Sequence, residues 1–231
     1  MKVAVAVFHY ERNDLTDAVL QQLTSVEHVF VHDDGSLSTY QVPKYLKNSH
    51  RILIAIVRVR GGYIKAVNRM MRFLSDSGYE AVWTLNNDIT IVGPALSVLE
   101  SLTAVLEAHP TVAAVTPGVD PNPHPDMRPN PNIDFTYLPF IDWVCPLVRI
   151  RAWNEVGGFD QNLKGYGCDI QFCYDARNIG WKFGIVPNQK VYHQMGATCK
   201  TFDSMGHDDL DFMTEYLKKK YNVSDVWTLT R

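Results

Sequence analysis

The sequence predicts an α/β fold: a mostly parallel β-sheet flanked by helices, within a single domain. Its length of 231 residues fits one large α/β domain or two small ones. Through about the first 115 residues, short β-branched apolar segments alternate with segments whose apolar residues recur at helical spacing. This alternation is typical of parallel strands that are joined by helices on both faces of the sheet.

Each element is predicted from the spacing of its apolar residues. The predicted strands span residues 3–8, 29–31, 52–59, 81–85, 112–115, 143–150 and 181–186. The predicted helices span residues 14–23, 63–75, 169–178 and 208–221, and a further helix begins at Pro94, where a missing N–H does no harm. Buried helix faces are expected at Leu96, Leu99, Leu102 and Leu106, and at Leu210, Met213 and Leu217.

The segment 117–134 interrupts this alternation. It contains six of the chain's twelve prolines, and apolar sequence resumes directly after it. We therefore expect a long surface loop inside the domain rather than a linker between two domains. Long loops in compact domains are often functional, so this segment is expected to shape a binding site.

Composition and cysteine spacing argue against several classes of protein. The formal net charge of −3 gives no general electrostatic reason to bind nucleic acid or an anionic membrane. No apolar run approaches the ~20 residues of a transmembrane helix, and no signal peptide is expected before the first strand. The cysteines lack a CxxC spacing, so neither a zinc site nor a disulfide framework is expected; they are Cys145, Cys168, Cys173 and Cys199. A cytoplasmic setting is expected.

Polar side chains follow three of the predicted strands, at the point where each strand ends. The three clusters are His9-Tyr10-Glu11-Arg12, Asp33-Asp34-Gly35-Ser36 and Asn86-Asn87-Asp88. Open parallel sheets bind ligands at the carboxyl ends of their strands, so the clusters indicate a nucleotide site. A strand-end carboxylate can accept hydrogen bonds from a base or from ribose hydroxyls, and Tyr10 can pack on a base. Taken alone, Asp34-Gly35 would be interpreted as a turn.

The stretch from Trp83 to Asp88 is the most informative part of the chain. A buried strand leads directly into Asn86, Asn87 and Asp88, whose oxygen atoms suit Mg²⁺ or Mn²⁺ rather than zinc. The same three residues are also typical of a simple turn. The chain has neither a Walker-type phosphate loop nor a GxGxxG loop. A metal would then have to neutralise the phosphates of a bound nucleotide, and Asp88 is the expected anchor.

Several motifs occur in a fixed order along the chain. They are Asp33-Asp34-Gly35-Ser36; Gly62-Tyr63-Ile64-Lys65-Ala66-Val67-Asn68, close to G-F-x-x-A-x-N; Leu85-Asn86-Asn87-Asp88; Val156-Gly157-Gly158-Phe159-Asp160; Tyr166 to Gln171 with Arg177 and Gly180-Trp181, close to Y-x-E-D-x-D…R-x-x-G-Y; and Val191-Tyr192-His193. In this order and spacing they resemble the family 2 glycosyltransferases, inverting enzymes of the GT-A fold, and in particular their rhamnosyltransferase-like branch. The resemblance spans about residues 3–200.

The resemblance implies a GT-A (Rossmann-like) domain, a nucleoside-diphosphate sugar as donor, and Mn²⁺ or Mg²⁺ as cofactor. Residues 1–115 would form the nucleotide-sugar-binding half, residues 116–205 the acceptor and catalytic half, and residues 206–231 a C-terminal helix and tail. Asp169 takes the position of the general base. Metal ligands are expected at Asp88 and His193. Donor contacts are expected at His9, Tyr10, Arg12, Asp33, Asp34, Lys65, Asn68 and Asn86.

The implied reaction is a direct displacement at the sugar. The acceptor hydroxyl attacks the anomeric carbon from the face opposite the leaving diphosphate, Asp169 takes its proton, and the configuration inverts. Two departures from the family pattern lie beside this base: Cys168 replaces the usual Glu, and Gln171 replaces the second Asp. Losing two like charges should lower the affinity of Asp169 for a proton relative to a typical member. The two departures put the class of acceptor in doubt more than the type of reaction.

Structural alternatives exist for several of these residues. Asp169 can be a helix N-cap, His193 a hydrogen-bonded structural histidine, and Lys65 a solvated helix residue. Trp143 can stack on a sugar or belong to the core. Cys145-Pro146 has no assigned role.

Two other classes of protein compete with a glycosyltransferase. One is a non-catalytic nucleotide-sugar-binding protein of the same fold. The other is a sugar-1-phosphate nucleotidyltransferase, a class that needs a glycine-rich loop which residues 8–14 lack. The expected partners of a glycosyltransferase are a nucleotide-sugar donor and a carbohydrate or lipid-linked glycan acceptor, without nucleic acid. A peripheral position at a membrane would be compatible with a lipid-linked acceptor.

Overall fold

The computed structural model describes residues 1–44, 52–57, 59–197 and 207–231, the last without the side chains of residues 207 and 208. Cys199, and Arg58 in the predicted third strand, lie outside the described residues. The strands are β1 Val3–His9, β2 Val29–Asp34, β3 Ile52–Val57, β4 Ala81–Asn86, β5 Ile89–Ile91, β6 Val112–Asp120, β7 Thr136–Leu138, β8 Leu147–Arg149 and β9 Lys182–His193. The helices are α1 Asn13–Gln22, α2 Tyr63–Asp76, α3 Ala95–Ala108, α4 Ile150–Val156, α5 Cys168–Asn178 and α6 His207–Tyr221, with 3₁₀ turns at Pro125–Met127 and Val226–Thr230.

These strands form one mixed sheet in the order β3-β2-β1-β4-β8-β6-β9-β5, with β7 beside β9. The first four are parallel to one another, and β6 is parallel to β9. The short strand β8 runs antiparallel between β4 and β6. This arrangement confirms the predicted α/β class, since all the long ladders are parallel.

Helices cover both faces of the sheet. Helices α2, α4 and α5 pack on one face of the sheet over a first buried cluster, and α1 and α3 pack on the other face over a second. The strand β1 serves both: Ala4, Ala6 and Phe8 face the first cluster, while Val5 and Val7 face the second. Within the described parts of the chain, no helix combines the length and the apolar character needed to cross a bilayer.

The predicted strand 143–150 is wrong in its extent. The strand covers only Leu147–Arg149, and the chain then enters α4, which the sequence did not suggest. Pro146 has no N–H for a ladder, and its carbonyl accepts hydrogen bonds from both the N–H and the hydroxyl of Thr84. The three-residue strands β5 and β7 were also missed, because so short an alternation carries little signal.

Other differences concern burial. Leu96 and Leu210 were expected to be buried but are 38% and 43% exposed. The buried face of α3 begins at Ala95 and continues through Val98 and Leu99, and α6 meets the core from Met213 onwards. The predicted surface loop 117–134 begins as strand, because β6 continues to Asp120. Within it Asn122 and Met127 are buried, so part of the segment belongs to the body of the domain.

Candidate active site

The strand registers bring the three polar clusters together at one edge of the sheet. His9 pairs with Asp33 between β1 and β2, and Phe8 pairs with Asn86 between β1 and β4. The carboxyl ends of these parallel strands therefore lie side by side, as expected for an open α/β sheet that binds a ligand.

Asp88 and His193 form a close pair at this edge. The β5–β9 ladder aligns Ile89 with His193, which places the imidazole beside the carboxylate, with Nε2 3.2 Å from Oδ1. The other oxygen of Asp88 accepts hydrogen bonds from the N–H groups of Gly196 and Ala197 at 3.1 and 3.2 Å. Burial by itself would raise the pKa of Asp88, but the His193 contact and the backbone N–H groups outweigh it and hold the pKa below its ordinary value.

This donor set fits a hard divalent cation that shares its coordination with a ligand. Among the described residues, no three His, Cys, Asp or Glu side chains converge on one point. Mg²⁺, however, is typically held by one or two carboxylates together with substrate phosphates, and its adjacent ligands lie about 3 Å apart. Asp88 and His193 meet that spacing. Asn86 adds an oxygen, Oδ1, that is buried without a hydrogen-bonding partner. We call Asn86, Asp88 and His193 the metal edge.

The carboxylates of Asp33 and Asp34 both accept backbone hydrogen bonds. Asp33 is fully buried and accepts from the N–H groups of Ser36 and Tyr40 at 3.1 and 2.8 Å, so it shapes the turn. Asp34 accepts from Gly61 and Gly62 at 3.0 and 2.7 Å, which ties the start of α2 to the end of β2. The turn alternative is thus realised for this motif, and nucleotide contact by either carboxylate stays a prediction.

His9 is buried and supports the loop that carries Asp88. Its Nδ1 lies 2.7 Å from the hydroxyl of Thr16, which also accepts a hydrogen bond from Asn87 Nδ2 at 3.2 Å. Burial lowers the pKa of His9, so the ring is neutral near pH 7, and it packs against Tyr40 with ring centroids 4.6 Å apart. The structure shows a supporting role for His9, and donor contact stays a prediction.

Two arginines bring positive charge to this edge. The Arg12 guanidinium donates two hydrogen bonds to Asp14 and one, at 3.2 Å, to the carbonyl of Ala197, the residue whose N–H holds Asp88. The Arg60 guanidinium lies 3.9 Å from the ring centre of Tyr10, a cation–π contact that the sequence did not indicate. Both positions suit an anionic nucleotide.

The predicted donor contacts on α2 differ in their placement. Lys65 is exposed in the first turn of α2. Asn68 uses both ends of its amide on the backbone of Phe159: it donates to the carbonyl at 2.8 Å and accepts from the N–H at 3.0 Å. Asn68 therefore clamps the Gly-Gly-Phe-Asp segment to α2, and this geometry does not support a nucleotide contact.

Asp169 lies in the first turn of α5. Gly167 is the N-cap residue, so the alternative that Asp169 caps the helix is wrong; its Oδ1 accepts from the N–H of Ile170 at 2.8 Å. Burial raises the pKa of Asp169 to about 6, and the negative charge of Asp142 adds to the shift. Cys168 and Gln171 do not place a negative charge beside Asp169, but Asp142, from another segment, does have this effect on its pKa.

The two departures from the family pattern have structural roles. Gln171 is buried; its oxygen accepts from the N–H of Asp160 at 2.9 Å and its Nε2 donates to Asp175 at 2.8 Å. An Asp at this position would have no N–H for Asp175 and would place two carboxylates together. Cys168 is also buried, and its thiol donates weakly to the carbonyl of Gly165.

Sequence reasoning missed two further side chains near the base. Burial raises the pKa of Tyr63, and nearby negative charge, including that of Asp88 and Asp169, adds to the rise. Asp142 interacts with Asp169 and His193. A signal for Asp142 was present, since it is the one charged residue in the apolar stretch from Leu138 to Val148.

Comparisons with known proteins give matches among solved structures. No family model matches the chain, and no curated protein is similar enough in sequence to match it. TarS of S. aureus, residues 1-349, superposes with a TM-score of 0.64 at 15% identity, covering 97% of this chain and 73% of that one. GalNAc-T7 with UDP, GalNAc and Mn²⁺ gives 0.64 at 13% identity, over 98% and 55%. The mannosyltransferase PcManGT from Pyrobaculum calidifontis with GDP-Man and Mn²⁺ gives 0.65 at 19% identity, over 85% and 58%.

These structural neighbours are glycosyltransferases. The present chain spans little more than half the length of the GalNAc-T7 and PcManGT chains. Identities below 20% carry no statement about substrate. What the likeness shows is that this chain is a single α/β domain with the GT-A fold of those glycosyltransferases.

Proposed function

We propose that the chain is an inverting glycosyltransferase that moves a sugar from a nucleoside-diphosphate donor to a hydroxyl acceptor. One observation carries the proposal: the β1–β4 and β5–β9 registers bring Asn86 and the close pair of Asp88 and His193 to the ligand-binding edge of the sheet. Sugar transfer from a diphosphate needs a cation for the leaving group and a base for the acceptor, and Asp169 in the first turn of α5 is the candidate base.

The metal edge suits the diphosphate end of the donor. Asp88, His193 and the unpartnered oxygen of Asn86 would hold Mn²⁺ or Mg²⁺, and such a cation, when bound, neutralises the leaving diphosphate. The lowered pKa of Asp88 keeps its carboxylate ionised at neutral pH. On the nucleotide side, Arg12 and the stacked pair of Tyr10 and Arg60 provide positive charge and a flat surface.

Asp169 suits the role of general base. A base works best when its pKa lies near the working pH, and burial brings that of Asp169 to about 6. It takes the proton of the acceptor hydroxyl as the new C–O bond forms and the bond to the diphosphate breaks. Because attack and departure occur on opposite faces, the anomeric configuration inverts.

The comparisons support the coarse features of this proposal. GalNAc-T7 was crystallised with UDP and Mn²⁺, and PcManGT with GDP-Man and Mn²⁺. A divalent metal and a nucleotide-sugar donor are therefore reasonable for a chain of the same fold. Membership of family 2, a hexosyl or deoxyhexosyl donor and a glycan or glycolipid acceptor are the finer parts of the proposal.

The structure weakens one reason for a non-catalytic alternative. Cys168 and Gln171 could indicate a degenerate site, but each has a structural role. Asp88 and Asp169, the two residues that the reaction needs, are both present. A binding protein would retain nucleotide affinity and show no turnover, which separates the two functions experimentally.

Release of nucleoside diphosphate tests the proposal. UDP-, dTDP- and GDP-sugars would be incubated with Mn²⁺ and the protein, with water as the surrogate acceptor. We expect slow release from one donor class, a loss of about 10²–10⁴-fold in Asp169→Asn, and retained nucleotide binding in that variant. Asp76→Asn, the same change at an exposed position of α2, is the matched control. Asp169→Asn turning over at the wild-type rate would refute the assignment of the base.

A further inference from the structure

Tyr63 lies beside the strand ends that carry the metal edge. It is the first residue of α2, and its ring packs edge-on against Phe8 with centroids 5.5 Å apart. Phe8 pairs with Asn86 across the β1–β4 ladder, so the Tyr63 ring lies over the strand ends that lead to Asp88.

The hydroxyl of Tyr63 has spare hydrogen-bonding capacity. It donates to the carbonyl of Trp143 at 3.3 Å, which is long for an O–H···O hydrogen bond and easily exchanged. Burial, together with the carboxylates of Asp88 and Asp169, raises the pKa of Tyr63, so the phenol keeps its proton. It can therefore donate one hydrogen bond and accept others at any working pH.

Asp142 directly precedes Trp143, whose carbonyl accepts the hydrogen bond from Tyr63. Its Oδ2 accepts a hydrogen bond from Asn122 Nδ2, while its Oδ1 is buried with no hydrogen-bonding partner. Burial raises the pKa of Asp142 above its ordinary value, and the hydrogen bond from Asn122 partly offsets that rise. A buried carboxylate oxygen without a donor destabilises a fold, so such an atom calls for a partner, and a bound ligand can provide one.

We propose that Tyr63 and Asp142 recognise hydroxyl groups of the transferred sugar, Tyr63 as an O–H donor and Asp142 Oδ1 as an acceptor. This inference rests on the proposed glycosyltransferase function and adds the residues that select the sugar. A hydroxyl bound to a buried carboxylate forms a charge-assisted hydrogen bond, which is stronger than a neutral one. A site built this way discriminates against sugars that lack the hydroxyl, because the buried groups are then left unpaired.

A panel of donors that share one nucleotide tests the inference. The sugars differ from one another at a single hydroxyl, by epimerisation or deoxygenation, and kcat/KM is measured for each with Mn²⁺. Tyr63→Phe removes one oxygen and keeps the ring on Phe8. We expect about a tenfold loss for the best donor and a much smaller loss for the donor without the recognised hydroxyl. The preference ratio is kcat/KM for the best donor divided by kcat/KM for the donor without the recognised hydroxyl. Asp142→Asn is expected to lower this ratio by a similar or larger factor.

Two controls separate sugar recognition from a structural effect. Tyr137→Phe removes the same oxygen at an exposed residue of β7 and should leave every ratio unchanged. Binding of the free nucleoside diphosphate with Mn²⁺, measured by calorimetry, should be equal in the wild type, Tyr63→Phe and Asp142→Asn. Weaker nucleotide binding in both variants would overturn the inference, because the residues would then act on the nucleotide site as a whole.

The outcomes also distinguish this inference from the proposed function. If the wild type releases nucleoside diphosphate while both variants keep the wild-type donor preference, the inference is wrong and the glycosyltransferase function stands. If the wild type neither binds nor cleaves any nucleotide sugar, the proposed function fails and the inference fails with it. Should Asp142→Asn not fold, the Tyr63→Phe ratio alone decides.

Discussion

The pKa of Asp169 predicts how the activity of this protein depends on pH. Only the deprotonated carboxylate can accept the proton of the acceptor, and burial places its pKa at about 6. The ionised fraction is then about 0.9 at pH 7 and about 0.09 at pH 5, so kcat/KM should fall about tenfold between them. An ordinary surface aspartate would remain almost fully ionised at pH 5.

Nucleoside diphosphate release at saturating Mn²⁺, measured from pH 5 to 8, provides the assay. Asp142→Asn checks the assignment, because removing the charge of Asp142 should lower the pKa of Asp169. The fall in the activity of this variant on the acid side should therefore occur at a lower pH than in the wild type. Asp169→Asn should lose the limb together with about 10²–10⁴-fold of the rate. A profile that stays flat down to pH 5 in the wild type would refute the reasoning, since the working base would then have an ordinary carboxyl pKa.

The same shift makes a prediction about stability. An acid whose pKa is raised by folding binds its proton more tightly in the folded state, so the fold loses stability as pH rises from about 4 to above 6. Asp169→Asn should therefore be more stable than the wild type at pH 7.5, by about 1–3 kcal/mol, and the difference should shrink towards pH 4. Urea unfolding at both pH values measures it, and a less stable variant at pH 7.5 would contradict the burial argument.

Two further variants test the framework of the site. Gly157 and Gly158 both have positive φ, but only at Gly158 would an added Cβ meet a neighbour, Asn68 Oδ1 at 2.8 Å. Gly158→Ala should therefore lower the free energy of unfolding in urea by about 1–3 kcal/mol more than Gly157→Ala. Equal losses in the two variants would contradict the clamp between Asn68 and Phe159. Burial would raise the pKa of Asp160, but Lys220 and the other hydrogen-bond donors hold it at about 2. Asp160→Asn should therefore lower the free energy of unfolding by about 1–3 kcal/mol at pH 7 and by almost nothing near pH 2. A loss of stability that does not depend on pH would contradict the ion pair.

The parallel half of the sheet could be predicted from the sequence because its signal is local. Strands such as β1 and β4 are continuous apolar runs, and each is followed by polar residues that mark its end. Strand β8 and helix α4 could not be predicted, because their boundary depends on Pro146 accepting hydrogen bonds from Thr84, 62 positions away. Such long-range pairing leaves no periodic trace in the chain.

The residues of the candidate site also fall into those that the sequence indicates and those that only the folded chain reveals. Asp88, His193 and Asp169 lie in motifs that resemble those of a known family; the structure brings the first two into contact, and the place of the third at the same site stays a prediction. Asn68 also lies in a motif, yet its amide clamps Phe159, a pairing that only the folded chain reveals. Asp142 lies in no motif, and it is singled out by its unpartnered oxygen and by its charge, which helps to raise the pKa of Asp169.

The most direct test of the central claim is thermal unfolding with a panel of nucleotide sugars, with and without Mn²⁺. A ligand present at 100 times its dissociation constant stabilises the fold by about 2.7 kcal/mol, which corresponds to a rise of roughly 5–10 °C for a domain of this size. The account predicts such a rise for one donor class, dependent on Mn²⁺ and lost in Asp88→Asn. No rise with any nucleotide sugar, or an equal rise in Asp88→Asn without metal, would contradict it.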